Sequence, residues 1–370
     1  KRITAEYGKE SMVMFLGTGY DGMLTSSFMQ TIFRSPNNCY TQSGYACYQP
    51  RSFSAQFVMG TFYPEIDYAG GLEGGYDNPE YCVPEVIVLW GKEPLRSNPD
   101  GFFGHSVIDL MKRGAKLIMV DPRVDWLACR SVYHLRLRPG TDAAIAMAWA
   151  NVIIEEDLYD HEFVDNWCYG FDEFAQRVAE MPPARASEIT GVDEDIIIAS
   201  ARMYANAKPA SIGWGLAFDQ NPNGSQAAHI VIGLMAMTGN IDVPGGQIVG
   251  ELEVAGNTDN EETLKADAEA MVEGTSDEEV REGAGMGGLS RGTRTRKVGW
   301  YAIDEETRNK CIGMDKFPIF CQATGPHADT MLKCLETDEP YPIRMGWIQS
   351  TNLLGSTNSE EPERWPDAMV

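Results

Sequence analysis

Cys47 stands between Tyr45 and Tyr48 in the run Gly44-Tyr45-Ala46-Cys47-Tyr48-Gln49-Pro50, directly after the turn-rich stretch SPNNCYTQSG. Two readings are open from the residues alone. A free cysteine is commonly packed as a small hydrophobe, whereas a thiolate is a soft ligand for a transition metal. Four other stretches gather polar groups of a different kind. GKEPLRSNPD supplies Lys92, Arg96, Ser97 and Asn98 on backbone leading into a helix. VDPR sets the Asp121 carboxylate, an acceptor for ribose hydroxyls, two residues before Arg123, which suits a phosphate. RPGTD offers Arg138 and a helix start whose free N–H groups suit an anion; alternatively, Asp142 can receive the two edge donors of a guanine. IQSTNLLGS adds Asn352 and a further polar cradle. Each stretch taken singly is ordinary loop sequence. The glycine fingerprint of NAD binding and the Walker A motif are both missing, so a nucleotide-dependent enzyme of those types is not supported.

These stretches follow apolar runs, and those runs must position them. MVMFL (12–16) ends in Gly17-Thr18-Gly19 and predicts a strand, as does EVIVLW (85–90). A helical pattern over 102–113 stops at Gly114, and KLIMV (116–120) forms the next strand. Strand, helix and strand in so short a span make a βαβ unit, which builds parallel sheets. HLRLR (134–138) predicts another strand, turned by Pro139-Gly140, with Thr141 capping an apolar helix that begins at Asp142. Helices are expected at about 160–180 and 193–206, a strand at 209–218 and a helix at 225–237 ended by Thr238-Gly239-Asn240. Residues 251–295 are acidic and glycine-rich and read as a long surface excursion; YPIRMGWIQST (341–351) restores a strand. The expected fold class is α/β, with two related doubly wound, mostly parallel-sheet domains. In such sheets ligands sit at the carboxyl ends of the strands.

Bulk properties narrow the function. Thirty basic against fifty-four acidic residues give a net charge of −24 over 370 residues, which argues against a nucleic-acid partner. No window approaches the roughly 20 apolar residues of a membrane span. Lys1 is not followed by a signal segment, so any leader is expected to lie outside this sequence. The eight cysteines include no C-x-x-C pair, which leaves zinc-finger and thioredoxin-type sites unsupported, and in a chain of this size they do not read as a disulfide framework. The compartment stays open.

Taken together and in order, the segments VLWGKEPLRSNPD, KLIMVDPR, HLRLRPGTDAAIAMAWANVIIEEDLYDHEFVDNWC, SEITGV, IGWGLAFDQ and LMAMTGNIDVPGG closely resemble the molybdopterin oxidoreductases of the dimethyl-sulfoxide-reductase type. The likeness covers most of 85–250, with weaker likeness at 10–50 and 340–358. YDHEFVDNWCYGF and SEITG resemble the acetylene hydratase branch and the anaerobic hydroxytransferases and dehydroxylases.

The resemblance implies a bis(molybdopterin guanine dinucleotide) cofactor carrying molybdenum or tungsten, held between two related α/β domains, one discontinuous (1–47 with 240–370) and the other (48–239) binding the dinucleotide. It implies a first phosphate and pterin loop at Gly91, Lys92, Pro94 and Ser97. Asp121 and Arg123 would meet a ribose or phosphate, and Gly140 and Asp142 a guanine. Trp214 and Gly215 would line the same pocket, while Ser350, Thr351 and Asn352 would begin the loop for the other dinucleotide. Cys47 becomes the expected metal ligand and catalytic residue, favoured over Cys39 by its downstream proline. The family often has asparagine where this chain has Glu93; an anion beside pyrophosphate is unfavourable, so Glu93 is expected to point away. The family's [4Fe–4S] cysteine spacing does not occur, so a cluster is expected upstream and the chain is expected to be an internal piece of a longer enzyme. The chemistry implied is oxygen-atom, hydroxyl or coupled electron–proton transfer on a small molecule, with an iron–sulfur subunit as electron partner. A redox-neutral hydratase or hydroxytransferase is an alternative, as is a non-catalytic cofactor-binding or assembly module. His105 and His229 fall in helical patterns and read as packed residues and not as acid–base groups.

Overall fold

A computed structural model describes residues 2–17, 29–40, 49–60, 64–69, 72–98, 102–221, 223–249, 299–318, 321, 325–349, 351–353 and 363–369. The strands described are β1 (Met12–Leu16), β2 (Asn37–Tyr40), β3 (Glu65–Ile66), β4 (Val86–Trp90), β5 (Lys116–Val120), β6 (Tyr133–Leu135), β7 (Ala210–Trp214), β8 (Gln247–Ile248) and β9 (Met345–Gln349). The chain divides into two compact units, 1–47 with 252–370, and 48–251.

In the first unit the sheet runs β2-β1-β9, and both neighbours lie parallel to β1. All five residues of β1 are buried, because successive side chains enter different cores. Val13 and Phe15 pack with Cys39, Met331 and Trp365, while Met12, Met14 and Leu16 pack with Met29. β2 corrects the sequence reading, which took SPNNCYTQSG for turns. Asn37 tolerates burial because it bonds on both sides: Nδ2 donates to the Glu10 carbonyl (2.7 Å) and the Tyr341 hydroxyl (3.0 Å), and Oδ1 accepts from the Ile312 N–H (3.1 Å).

The second unit is built on a four-stranded parallel sheet in the order β6-β5-β4-β7. Alternate residues feed opposite faces. Val88, Trp90, Ile118, Val120, Ile212 and Trp214 belong to one core; Ile87, Leu89, Leu117 and Met119 belong to the other. Helices cover both faces, which is why the strands read as continuous apolar runs. The helices that matter for the site are α1 (Gln49–Met59), α2 (Pro94–Ser97), α3 (Phe102–Lys112), α4 (Asp142–Glu155), α5 (Glu194–Asn206) and α6 (Gly224–Met237). A short antiparallel ladder, β3 with β8, keeps residues 247–248 in this unit. The fold is mixed α/β with parallel sheets, as the apolar runs and glycine stops imply.

Differences from the sequence expectations have local causes. The strand expected at 134–138 ends at Leu135, and that expected at 209–218 ends at Trp214, where Gly215 opens a turn closed by the Phe218 N–H on the Gly215 carbonyl (3.2 Å). Gly170, at φ +77°, breaks the helix expected over 160–180 into His161–Trp167 and Phe171–Val178. Thr141 does not cap α4 through its side chain; its hydroxyl donates back to the Arg138 carbonyl (2.6 Å).

Candidate functional site

The four strands of the second sheet point the same way, so the loops after β4, β5, β6 and β7 leave one edge. Those loops contain Gly91 to Ser97, Asp121 and Arg123, Gly140 and Asp142, and Gly215. From β4 the chain steps outward to β5 and β6, then crosses back to β7 on the other side of β4. That reversal makes a topological switch point between the loops after β4 and β7, where the ligand crevice of a doubly wound sheet lies.

The crevice walls are glycine backbone in close approach. The Gly91 N–H donates to the Val120 carbonyl (2.8 Å), and the Gly215 N–H donates to the Trp90 carbonyl (3.0 Å). A Cβ on Gly215 would stand 2.2 Å from the Gly91 carbonyl oxygen. Gly91 has φ +58°, and a side chain there would meet the Ala217 Cβ at 2.5 Å. Pro94 opens α2 as its first residue, and the Ser97 hydroxyl donates to the Glu93 carbonyl (3.0 Å).

The charged groups are mostly engaged with each other. Lys92 Nζ pairs with Glu65 Oε2 at 2.7 Å and lies 4.3 Å from the centre of the Phe103 ring. Asp121 is buried and receives Arg123 through the backbone N–H (2.8 Å), Nε (2.9 Å) and Nη2 (2.8 Å), a two-pronged grip that raises the pKa of the guanidinium further. The Arg123 side chain nevertheless stays 53% exposed, leaving the rest of its fork open. Arg138 is exposed, and its Nη1 donates to the Glu188 and Ile189 carbonyls (2.8 Å each) at the end of helix Pro183–Thr190.

Asp142, the first residue of α4, is 6% exposed and accepts from Trp90 Nε1 at 2.9 Å. Burial pushes its carboxyl above the ordinary aspartate range, and the indole bond pulls against that shift. Beneath it, Trp90, Trp149, Phe218 and Trp214 pack as a chain of tilted and edge-on rings 5.5–5.6 Å apart. Trp214 is therefore buried, with Nε1 donating to the Pro64 carbonyl (3.0 Å), and backs the loop from below. At Gly140, φ is +84° and the space where a Cβ would stand is open to 4 Å.

Glu93 is not turned to solvent. It is 5% exposed, and its Oε2 has no hydrogen-bond partner among the described residues. Burial first, and then the like charge of Asp125, pushes its carboxyl up. Of the histidines considered, His105 is exposed on α3, while His229 on α6 stacks on Phe57 (5.7 Å, 14° between planes), with burial lowering its pKa.

In the first unit, parallel pairing sends the segments after β1, β2 and β9 off one edge as well. Thr351 and Asn352 follow β9 directly; Ser350 and Cys47 lie outside the described residues. Cys39, the competing thiol, is fully buried on β2, and desolvation raises its pKa strongly, the state of a packed cysteine. A cleft of about 790 Å³ lies against Val13, Phe15, Met345 and Ile348, and contains none of the site residues. Among the described residues no group of three His, Cys, Asp or Glu is placed to hold a metal ion, and no helix is long and apolar enough to cross a membrane.

The family model for molybdopterin oxidoreductase matches residues 1–312. The chain belongs to the molybdopterin oxidoreductase family. Its relatives include acetylene hydratase of Syntrophotalea acetylenica, 33% identical over 97% of this chain and 46% of that protein. The dimethyl sulfoxide reductase DmsA of Escherichia coli is 32% identical over 66% of this chain and 33% of its own length. The solved acetylene hydratase from Pelobacter acetylenicus has a TM-score of 0.67 at 24% identity, covering all of this chain and 46% of that one, and shares its fold. The chain thus spans about half, or less, of the relatives it matches. The family implies a molybdopterin cofactor with molybdenum or tungsten. The second unit's strand edge offers what a phosphate-bearing cofactor of that kind needs: close-set glycine backbone, buried acceptors at Asp121 and Asp142, a half-exposed Arg123 and open space at Gly140. Sequence reasoning missed Glu65, Arg51 and Asp219, whose partners are distant in the chain.

Proposed function

We propose that the chain is the central part of an enzyme with a bis(molybdopterin guanine dinucleotide) cofactor, and that the second unit's strand edge holds one dinucleotide. The observation that carries this reading is the gathering of the loops after β4, β5, β6 and β7 around a glycine-walled switch point. Asp121 would accept from a ribose, with Arg123 reaching phosphate through the open part of its fork. Asp142 would accept from a guanine edge beside Gly140. Gly91, Lys92, Pro94, Ser97 and Gly215 would shape the phosphate and pterin loop, Lys92 through its backbone since its ammonium is paired with Glu65. Trp214 would support that loop from the core. Ser350, Thr351 and Asn352 would serve the second dinucleotide, and Cys47 would hold the metal by its thiolate.

When bound, the metal supplies oxygen-atom, hydroxyl or coupled electron–proton transfer, with a small organic molecule as substrate; the chain supplies orientation and charge around it. A redox-neutral hydration is the second reading, favoured by the likeness to acetylene hydratase over 97% of this chain. A [4Fe–4S] cluster upstream and an electron-transfer subunit belong to the redox reading.

The test is Cys47→Ala in the native protein. The expected outcome is retained pterin with turnover lost by about a thousandfold or more, as for removal of a group that acts directly in the chemical step. Turnover unchanged from wild type contradicts the assignment of Cys47.

A further inference from the structure

Behind the crevice, one guanidinium bridges both ends of the loop that follows β7. Arg51, 5% exposed in the first turn of α1, donates from Nε to Asp219 Oδ2 (2.7 Å) and from Nη1 to the Trp214 carbonyl (2.9 Å). Its backbone N–H, one of the free donors of that first turn, goes to Asp219 Oδ1 (3.1 Å). Trp214 is the last residue of β7, and the Asp219 side chain is fully buried. Between them run Gly215, Leu216, Ala217 and Phe218, the wall that meets Gly91. Two other points fix α1 against α6, Ser54 Oγ on the Ser225 carbonyl (3.1 Å) and Phe57 on His229. Neither of those contacts involves the crevice loop.

A buried ion pair is a weak source of stability, since desolvating two charges consumes most of their attraction and apolar replacements are often as stable. What this pair does supply is geometry: three directed bonds hold a short loop closed at both ends. The planar fork reaches a carboxylate and a carbonyl from two nitrogens in a fixed geometry, which the single-point ammonium of a lysine does not reproduce. The Asp219 carboxylate is taken up by Arg51 on both oxygens, and the Arg51 Nε and Nη1 are taken up by Asp219 and the Trp214 carbonyl.

We propose that Arg51 and Asp219 are positioning residues that hold the Trp214–Asp219 loop in the shape that receives a guanine nucleotide; this rests on the reading of that crevice as a nucleotide site. The pair sets where the Gly215 backbone lies against Gly91, and so the width of the crevice, without contacting what binds there.

The test uses this chain with guanosine diphosphate as probe, by calorimetry at about pH 7.5, above the region near 6 to which burial pushes Asp219. Thermal unfolding is followed in parallel. Wild type, Asp219→Asn, Arg51→Lys and the double variant Arg51→Met with Asp219→Leu are compared. The expected result is a loss of affinity of tenfold or more in all three variants, with the double variant unfolding within a few degrees of wild type. Wild-type affinity in Arg51→Lys or in the well-folded double variant overturns the positioning role and leaves the nucleotide site standing. No binding of the probe by wild type overturns the nucleotide reading, and the positioning role with it.

Discussion

A carboxyl held at 5% exposure beside Asp125 keeps its proton to a higher pH than an ordinary glutamate, and Glu93 is in that position. The unfolded chain releases this proton near the ordinary value of about 4.3, whereas the folded chain releases it later. Across that window the unfolded state binds fewer protons than the folded one, so the Glu93 contribution to stability falls as pH rises. Glu93→Gln cannot ionise and lacks this slope. Thermal unfolding of both proteins at about pH 5 and pH 7.5 should therefore show the variant gaining on wild type as pH increases. A gap that does not change with pH would mean that Glu93 ionises in the folded chain as it does in water. The same substitution removes an anion from the neighbourhood of Arg123, so affinity for guanosine diphosphate should rise at the higher pH.

At the scale of elements, the contact between the β4 and β7 loops is the tightest feature of the crevice. Gly215→Ala would put a methyl group 2.2 Å from the Gly91 carbonyl oxygen, and the obstacle is backbone that cannot rotate aside. Overpacking of that kind costs about 1–3 kcal/mol, and here it falls on the crevice itself. Calorimetry of the variant should show guanosine diphosphate affinity lost well beyond what the change in unfolding temperature accounts for. Equal affinity in the two proteins would show that the loops can separate freely.

The elements behind this contact were legible where apolar runs end in glycine or proline: β1, β4, β5, α4 and α6 fall within a residue or two of their expected positions. The strand-end loops carrying Gly91 and Asp121 were legible for the same reason, whereas the one carrying Gly215 was not, since the strand before it was expected to run on to 218 and ends at Trp214. β2 was not, because its two asparagines mimic a turn until the bonds of Asn37 to Glu10, Tyr341 and Ile312 are seen. Nor was the pairing of groups far apart in the chain, such as Trp90 with Asp142, Lys92 with Glu65, and Arg51 with Asp219 across 168 positions. Local pattern carries the period of an element; it does not carry which side chains the topology brings together.

For the whole molecule, the arrangement concentrates recognition in a few places on a strongly acidic chain. With a net charge of −24, the surface repels anionic ligands at long range, so any pyrophosphate must be held by short-range donors: Arg123, and backbone N–H groups at strand ends. Both units are built on parallel sheets whose strands end at a single carboxyl edge, the edge at which doubly wound sheets bind their ligands. The likeness to acetylene hydratase runs over 97% of this chain and 46% of that protein, so a cofactor count belongs to the native protein that contains the chain. The measurement that tests the account most directly is elemental analysis of that native protein for molybdenum, tungsten and iron, with pterin and guanine nucleotide determined after acid release. The account predicts about one molybdenum or tungsten with two pterins and two guanine nucleotides per chain, and about four irons where a [4Fe–4S] cluster is present. A folded native protein with neither pterin nor molybdenum nor tungsten would contradict it, leaving the family fold with a non-catalytic role.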